Sequence, residues 1–191
     1  MEAKQEIHIT AEITPNPNTL KFITDRVFIE SGSLNFPDRE KAKGSLLPET
    51  LFKIENVLGV MAGRDFVTVT KMPQASWNAM AEPIIHSIRS LLSSNQPLFS
   101  SSSQTAPAVE GHTAGNSDIE MRIRHILDSE IRPAVAMDGG DILFYGYENG
   151  VVTLHLQGSC SSCPSSVMTL KMGVENRLKS LIPEVREVVQ V

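Results

Sequence analysis

Cysteine is nearly absent from this chain: Cys160 and Cys163 are the only two. That excludes the disulfide framework that staples small secreted domains, and it fits a reducing compartment. Aromatic residues are also scarce, at 5%, and the single tryptophan, Trp77, reads as core. No apolar run approaches the ~20 residues that cross a bilayer, so no membrane-spanning helix is expected. An excess of positive charge is missing too. Seventeen Lys and Arg against 22 Asp and Glu give a net charge of -5, which offers no general attraction to nucleic-acid phosphates or anionic lipid. The opening residues have no basic segment leading into an apolar one. Glu2, Glu6 and Glu12 all precede the first arginine, Arg26, so neither a secretory leader nor a transit peptide is expected. The chain reads as cytoplasmic and bacterial, with a processed mitochondrial-matrix form as the alternative.

What is present supports a folded protein. At 191 residues and 41% hydrophobic, the chain can form two small cores or one ordinary core. Composition changes between Ser93 and Asn116, where Ser100-Ser101-Ser102-Ser103-Gln104-Thr105-Ala106-Pro107 sits among few large apolar residues. Such a stretch cannot bury enough surface to offset its chain entropy and is expected to be a linker. The fold class is accordingly α+β: two small α/β-sandwich-like domains, 1–92 and 117–191, joined by a flexible Ser/Pro-containing linker, 93–116.

In the first half, Ile7 to Ile13 alternates as a strand with Ile7, Ile9, Ala11 and Ile13 on one face. Thr14-Pro15-Asn16-Pro17-Asn18 turns the chain, and Leu20 to Ile23 and Val27 to Ile29 read as further strands. Leu47, Leu51, Ile54, Val57 and Leu58 recur at helical spacing, with Gly59 placed to stop the helix. Phe66 to Thr70 alternates again. Ser76 is positioned to cap a helix with Trp77, Met80, Ile84, Ile88 and Leu91 inside, which Pro83 should kink or restart. No chemically loaded cluster stands out here.

The second half opens with Ser117-Asp118-Ile119-Glu120, a capping-box pattern, and a stripe of Ile119, Ile123, Ile126, Leu127 and Ile131 that Pro133 should end. Ile142 to Tyr147 and Val151 to Leu156 flank an Asn149-Gly150 turn and read as a hairpin. Pro164 opens a second helix with Val167, Leu170, Val174, Leu178 and Leu181 inside. Pro183 stops it, and Val185 to Val191 can close the sheet.

The two thiols therefore fall between a strand and a helix start, where unpaired backbone N–H groups favour thiolate. Small neighbours (Gly158, Ser159, Ser161, Ser162, Ser165, Ser166) leave room for a bulky ligand. A tetrahedral thiolate site needs four ligands and one chain offers two. Taken alone, the motif admits a redox disulfide of the thioredoxin kind, a zinc-bridged structural dimer, or a metal centre shared between chains.

Other residues take ordinary roles. His155 reads as a hydrogen-bonded strand histidine, Met168 and Met172 as core fillers or dimer contacts, and Asp138 and Asp141 as turn and capping residues. Arg122, Arg124 and His125 form a short basic helix face. No Ser/His/Asp constellation and no phosphate-binding glycine loop is apparent, so an enzyme is not expected.

Several segments in order carry a resemblance. Arg132-Pro133, Met137-Asp138-Gly139-Gly140-Asp141, Gly158 to Ser166 around the cysteines, Thr169-Leu170-Lys171 and Pro183-Glu184-Val185 resemble the NifU-like C-terminal domain of iron–sulfur cluster scaffold and carrier proteins. Thr14 to Phe22, with Asp65 to Lys71, resembles the Nfu N-terminal domain. Ser159 departs from the pattern, where alanine or glycine is common. The resemblance implies a labile [4Fe-4S] cluster held between two subunits through Cys160 and Cys163 of each and passed to apo iron–sulfur client proteins; displacement of one cysteine by a client thiolate is easier if the cluster lies near the surface. It also implies a homodimer on cluster binding and an upstream assembly scaffold as partner.

Overall fold

The computed structural model describes residues 6–94, 96–100, 117–161 and 164–191, with the side chains of 117 and 164–166 left aside. The chain divides into two units, Met1–Ala106 and Pro107–Val191.

The first unit is a five-stranded antiparallel sheet with helices packed on it. Its elements are β1 (Ile9–Ile13), β2 (Thr19–Thr24), β3 (Leu34–Phe36), α1 (Arg39–Ala42), α2 (Leu46–Phe52), β4 (Val57–Ala62), β5 (Phe66–Lys71) and α3 (Trp77–Ser93). The spatial order is β1-β2-β5-β4-β3. Alternation on β2 and β5 sets Leu20 opposite Val69 and Phe22 opposite Val67. These residues share one buried cluster with Met80, Ile84 and Ile88 of α3, as period-2 and period-3.6 faces meeting should.

Three sequence expectations need correction in this unit. Val57 and Leu58 do not extend the helix: α2 ends at Phe52, Asn56 takes a positive φ of 68°, and Val57 starts β4. Asn tolerates that left-handed turn, so the chain reverses three residues before Gly59. Val27 to Ile29 is not a strand; a single bond from Phe28 N to Arg64 O at 2.7 Å holds it. Pro83 does not restart α3, which runs unbroken through it. Pro83 and Ala79, whose carbonyl loses its helical partner, are both exposed, so water can satisfy the orphaned group.

The Thr14–Asn18 turn is held largely by its own side chains. Thr14 Oγ1 donates to Asn16 O at 3.0 Å, and Asn16 Oδ1 accepts from Asn18 N at 3.0 Å. Lys71 Nζ donates to Asn18 Oδ1 at 3.1 Å, and Trp77 Nε1 to Pro17 O at 3.1 Å. Trp77 is thus a half-buried strut at the edge of the core. At the far end, the stretch expected to be linker begins inside the unit. Ser93 closes α3, Leu98 O accepts from Leu47 N at 3.0 Å, and Phe99 stacks on Phe36 with ring centroids 6.1 Å apart. Phe99 supplies the apolar area that the serines lack. The rest of that stretch, 95 and 101–116, lies outside the described residues.

The second unit runs α4 (Ser117–Ile126), a π-helical turn (Leu127–Ile131), α5 (Arg132–Met137), β6 (Gly140–Glu148), β7 (Val151–Gly158), α6 (Pro164–Leu181) and β8 (Glu187–Gln190). The helical stretch passes Pro133 and continues to Met137, contrary to expectation. Arg132 N bonds Leu127 O, five residues back. A wider turn of this kind opens room that a proline ring is denied in a regular helix. β6 and β7 form an antiparallel hairpin whose turn places Asn149 at φ 51° and Gly150 at φ 85°, as a type I′ turn demands. β8 pairs parallel with β7, which requires a crossover, supplied by α6. Ile123, Leu127, Ile142, Val152, Leu154, Val174, Leu178 and Val188 form the core. Leu181, expected inside, is partly exposed, and Ile182 fills the position instead.

Glu175 of α6 reaches across to β8, accepting from Val188 N at 2.9 Å and from Lys179 Nζ at 2.6 Å. The Lys179 hydrogen bond, then the Val188 one, lower its pKa below the ordinary 4.5. A carboxyl depressed in the folded state contributes stability above its unfolded pKa and loses it as pH falls through the folded value. Glu175→Gln should therefore cost at most ~1 kcal/mol at neutral pH, a figure discounted for solvent. In chemical denaturation the gap from the parent should close well below pH 4.5; a gap independent of pH would contradict this.

Candidate functional site

β7 ends at Gly158, whose positive φ of 65° turns the chain out of the sheet, and α6 begins at Pro164. The cysteine loop spans this gap. Against its first residues lies the turn at Asp138-Gly139, which follows α5 and leads into β6 at Gly140. Gly139 has φ 75° there, a conformation that costs glycine little. The register sets Gly140 opposite Gly158, so two residues without side chains bring turn and loop together.

Hydrogen bonds fix the contact. Ser159 N donates to Gly139 O at 3.2 Å, and Ser159 Oγ donates to Asp138 O at 2.5 Å. Ser161 N and Oγ both donate to Gly158 O, at 3.2 and 2.8 Å. The serine that departs from the family pattern is therefore an extra tie between loop and turn. Its hydroxyl also lies 3.7 Å from Cys160 Sγ.

Cys160 is 5% exposed and belongs to the core cluster of this unit. Its Sγ is turned inward against the backbone of β6. Cys163 lies outside the described residues. Among the described residues no group of three or more His, Cys, Asp and Glu side chains is placed to hold a metal ion.

The turn is in turn anchored by an ion pair that neighbouring sequence positions do not reveal. Arg132 Nε and Nη2 donate to Asp141 Oδ1 and Oδ2, each at 2.8 Å, and Nη1 donates to Asp128 Oδ1 at 2.9 Å. Asp141 is buried and also accepts from Ile142 N at 2.8 Å. It is a strand residue gripping a guanidinium, not the turn or capping residue expected. Hydrogen bonding to Asp141, above all, holds the Arg132 guanidinium further above its ordinary pKa. The pair fixes where β6 starts, and with it Gly140.

The remaining candidates are placed as follows. His155 Nδ1 lies 2.8 Å from Val191 O, a hydrogen-bonded strand histidine. Met168 and Met172, four residues apart on α6, are exposed at 62% and 58% and are not core fillers. Met137, beside the turn, is exposed as well. Arg122 bonds Leu181 O at 2.7 Å, and Arg124 lies over the Phe144 ring at 4.3 Å, so two of the three basic residues serve packing. No described helix is long and apolar enough to cross a membrane.

An α+β unit with Cys160 in the loop after a strand, following a first α+β unit in the sequence, defines a two-part thiol-bearing protein. Comparison with known proteins gives its family. A profile described as "NifU-like domain" matches residues 123–189, and one described as "Scaffold protein Nfu/NifU N terminal" matches 9–95. The human "NFU1 iron-sulfur cluster scaffold homolog, mitochondrial" is 42% identical over 96% of this chain and 71% of its own length. "NifU-like protein 4, mitochondrial" of Arabidopsis thaliana is 40% identical over 98% of this chain and 67% of its own. A NifU-like protein from Saccharomyces cerevisiae, solved by solution NMR, aligns with a TM-score of 0.46 and 27% identity over 53% of this chain and 91% of that one. The chain belongs to the Nfu/NifU family.

Two substitutions test the scaffold of the loop. Arg132→Ala leaves the Asp141 carboxylate buried without its guanidinium and should cost about 2–4 kcal/mol in urea denaturation, while Arg132→Lys should recover only part, lacking the two-pronged grip. Ser159→Ala removes one hydroxyl bond and should cost about 1 kcal/mol. An unchanged midpoint for Arg132→Ala would show that the pair does not anchor the turn.

Proposed function

We propose that this chain is an iron–sulfur cluster scaffold and carrier, binding a labile [4Fe-4S] cluster between two copies through Cys160 and Cys163 of each, and delivering it to apoproteins. The observation that carries this reading is the placement of Cys160. It lies in the loop that leaves β7, tied through Ser159 to the turn at Asp138-Gly139, three residues ahead of the other cysteine in the sequence, and relatives of the chain are named as iron–sulfur cluster scaffold homologs. Each iron of a cubane takes one thiolate from outside, and thiolate is the soft ligand such iron prefers. Two chains with two cysteines each complete that set; one chain does not.

Ligands supplied by two separable subunits suit delivery better than permanent retention. An incoming client thiolate can replace one of these cysteines while the others still hold the cargo. The partners on this reading are apo iron–sulfur clients, an upstream assembly scaffold, and a second copy of the chain. The 1–92 domain, connected through 93–116, selects or steadies clients. The names of the relatives, which carry the word mitochondrial, support the matrix over the bacterial cytoplasm as the compartment.

The test is anaerobic reconstitution with ferrous iron and sulfide, followed by mixing with an apoprotein that has vacant cysteine ligands. The parent should turn brown, contain acid-labile sulfide, and restore the client's activity as its own absorbance declines. Cys160→Ser and Cys163→Ser should each lose the chromophore. Zinc bound without sulfide, or a chromophore that the client never acquires, would sink the proposal.

A further inference from the structure

A methyl group placed on Gly140 would lie 2.5 Å from Cys160 Sγ, 3.2 Å from Cys160 Cβ and 3.0 Å from Gln157 O. Non-bonded carbon and sulfur do not approach so closely, and the atom easiest to move is the end of the cysteine side chain. Gly140 does not have the positive φ of its neighbour Gly139, so its backbone conformation does not require glycine. What requires glycine is the space taken by the thiol. The same strand contains a contrasting position: a methyl on Gly146 would meet nothing within 4 Å.

We infer that Gly140 is a positioning residue for Cys160, its missing side chain forming the niche in which the thiol is sheltered. Three features hold the thiol there: the niche, the Ser159 tie to Asp138 that fixes the loop on the turn, and the apolar core around it. The niche thus protects a reactive thiol from solvent oxidants and alkylators until it is used. That Cys160 is a cluster ligand rests on the function proposed above, whereas the shelter stands on the geometry of this unit alone.

The experiment uses the reduced, cluster-free full chain, with iodoacetamide as probe and peptide mass analysis reporting modification of Cys160. In the parent, Cys160 should react at least about tenfold more slowly than in the urea-unfolded chain, because access limits the reaction. Gly140→Ala should bring the rate close to that of the unfolded chain, and Gly146→Ala should leave it at the parent value. Equal rates in parent and Gly140→Ala would overturn the inference. So would a rise as large in Gly146→Ala, which would signal general loosening. Should Gly140→Ala fold poorly, its melting point is compared in a Cys160→Ala background: the loss on adding Gly140→Ala should shrink there, and an equal loss in both backgrounds refutes the niche. Neither readout involves iron, so failure of the shelter is distinguishable from failure of the cluster reading.

Discussion

The close approach of two backbone segments, the turn at Asp138-Gly139 and the loop after β7, determines where this protein keeps the Cys160 thiol. Gly140 pairs with Gly158, Ser159 binds the turn through both its amide and its hydroxyl, and Arg132 clamps Asp141 from behind. Each link is short-range, yet the residues come from α5, β6 and β7. The hairpin and the parallel strand β8 make that convergence possible, because the return through α6 requires the chain to leave β7 at the turn. A thiol pair on an unbraced loop would lose much of its affinity to the entropy of ordering that loop. Here much of that ordering is already done on folding.

The same approach that orders the loop also turns Cys160 inward, which suits a protein that must hold a reactive ligand without spending it. Carriers differ from enzymes with permanent cofactors in needing both capture and release. On the proposed reading, a half-complete ligand set on each chain would provide the second, since separation of the copies or entry of a client thiolate lowers the cost of departure. The exposed Met137 ends α5 beside the turn, and the exposed Met168 and Met172 lie in the N-terminal half of α6. Methionine is flexible and polarisable enough to pack against more than one partner surface. The first unit supplies a sheet, a closing helix and a self-braced Thr14–Asn18 turn, and its sequence contains no cysteine.

Much of this was legible where a local rule has one physical solution. Asn149-Gly150 can only be a tight hairpin turn between alternating strands, and Ile123, Leu127, Val174 and Leu178 sit at spacings that only helices bury. That Cys160 follows a strand was legible from the alternation of Val151 to Leu156. Errors arose where two rules competed. Val57 and Leu58 extend the apolar spacing of α2, yet Asn56 turns the chain and they become a strand. Pro133 normally ends a helix, and a π turn spared it. Leu181 and Ile182 adjoin, so a one-residue phase error exchanged inside for outside. What could not be read was tertiary: the Arg132 to Asp141 grip spans a helix end and a strand start, and the space beside Gly140 exists only once β6 and the loop meet. A glycine pair in the sequence announces a turn. It does not say that a sulfur fills the gap.

The central claim is that two thiolates per chain are an incomplete shell which a second copy completes. Native mass spectrometry of the anaerobically loaded protein measures this most directly. The account predicts one dominant iron-bearing species with the mass of two chains plus about four irons and four sulfides, as a cubane with one thiolate per iron requires. Iron and sulfide retained at the mass of a single chain would contradict it.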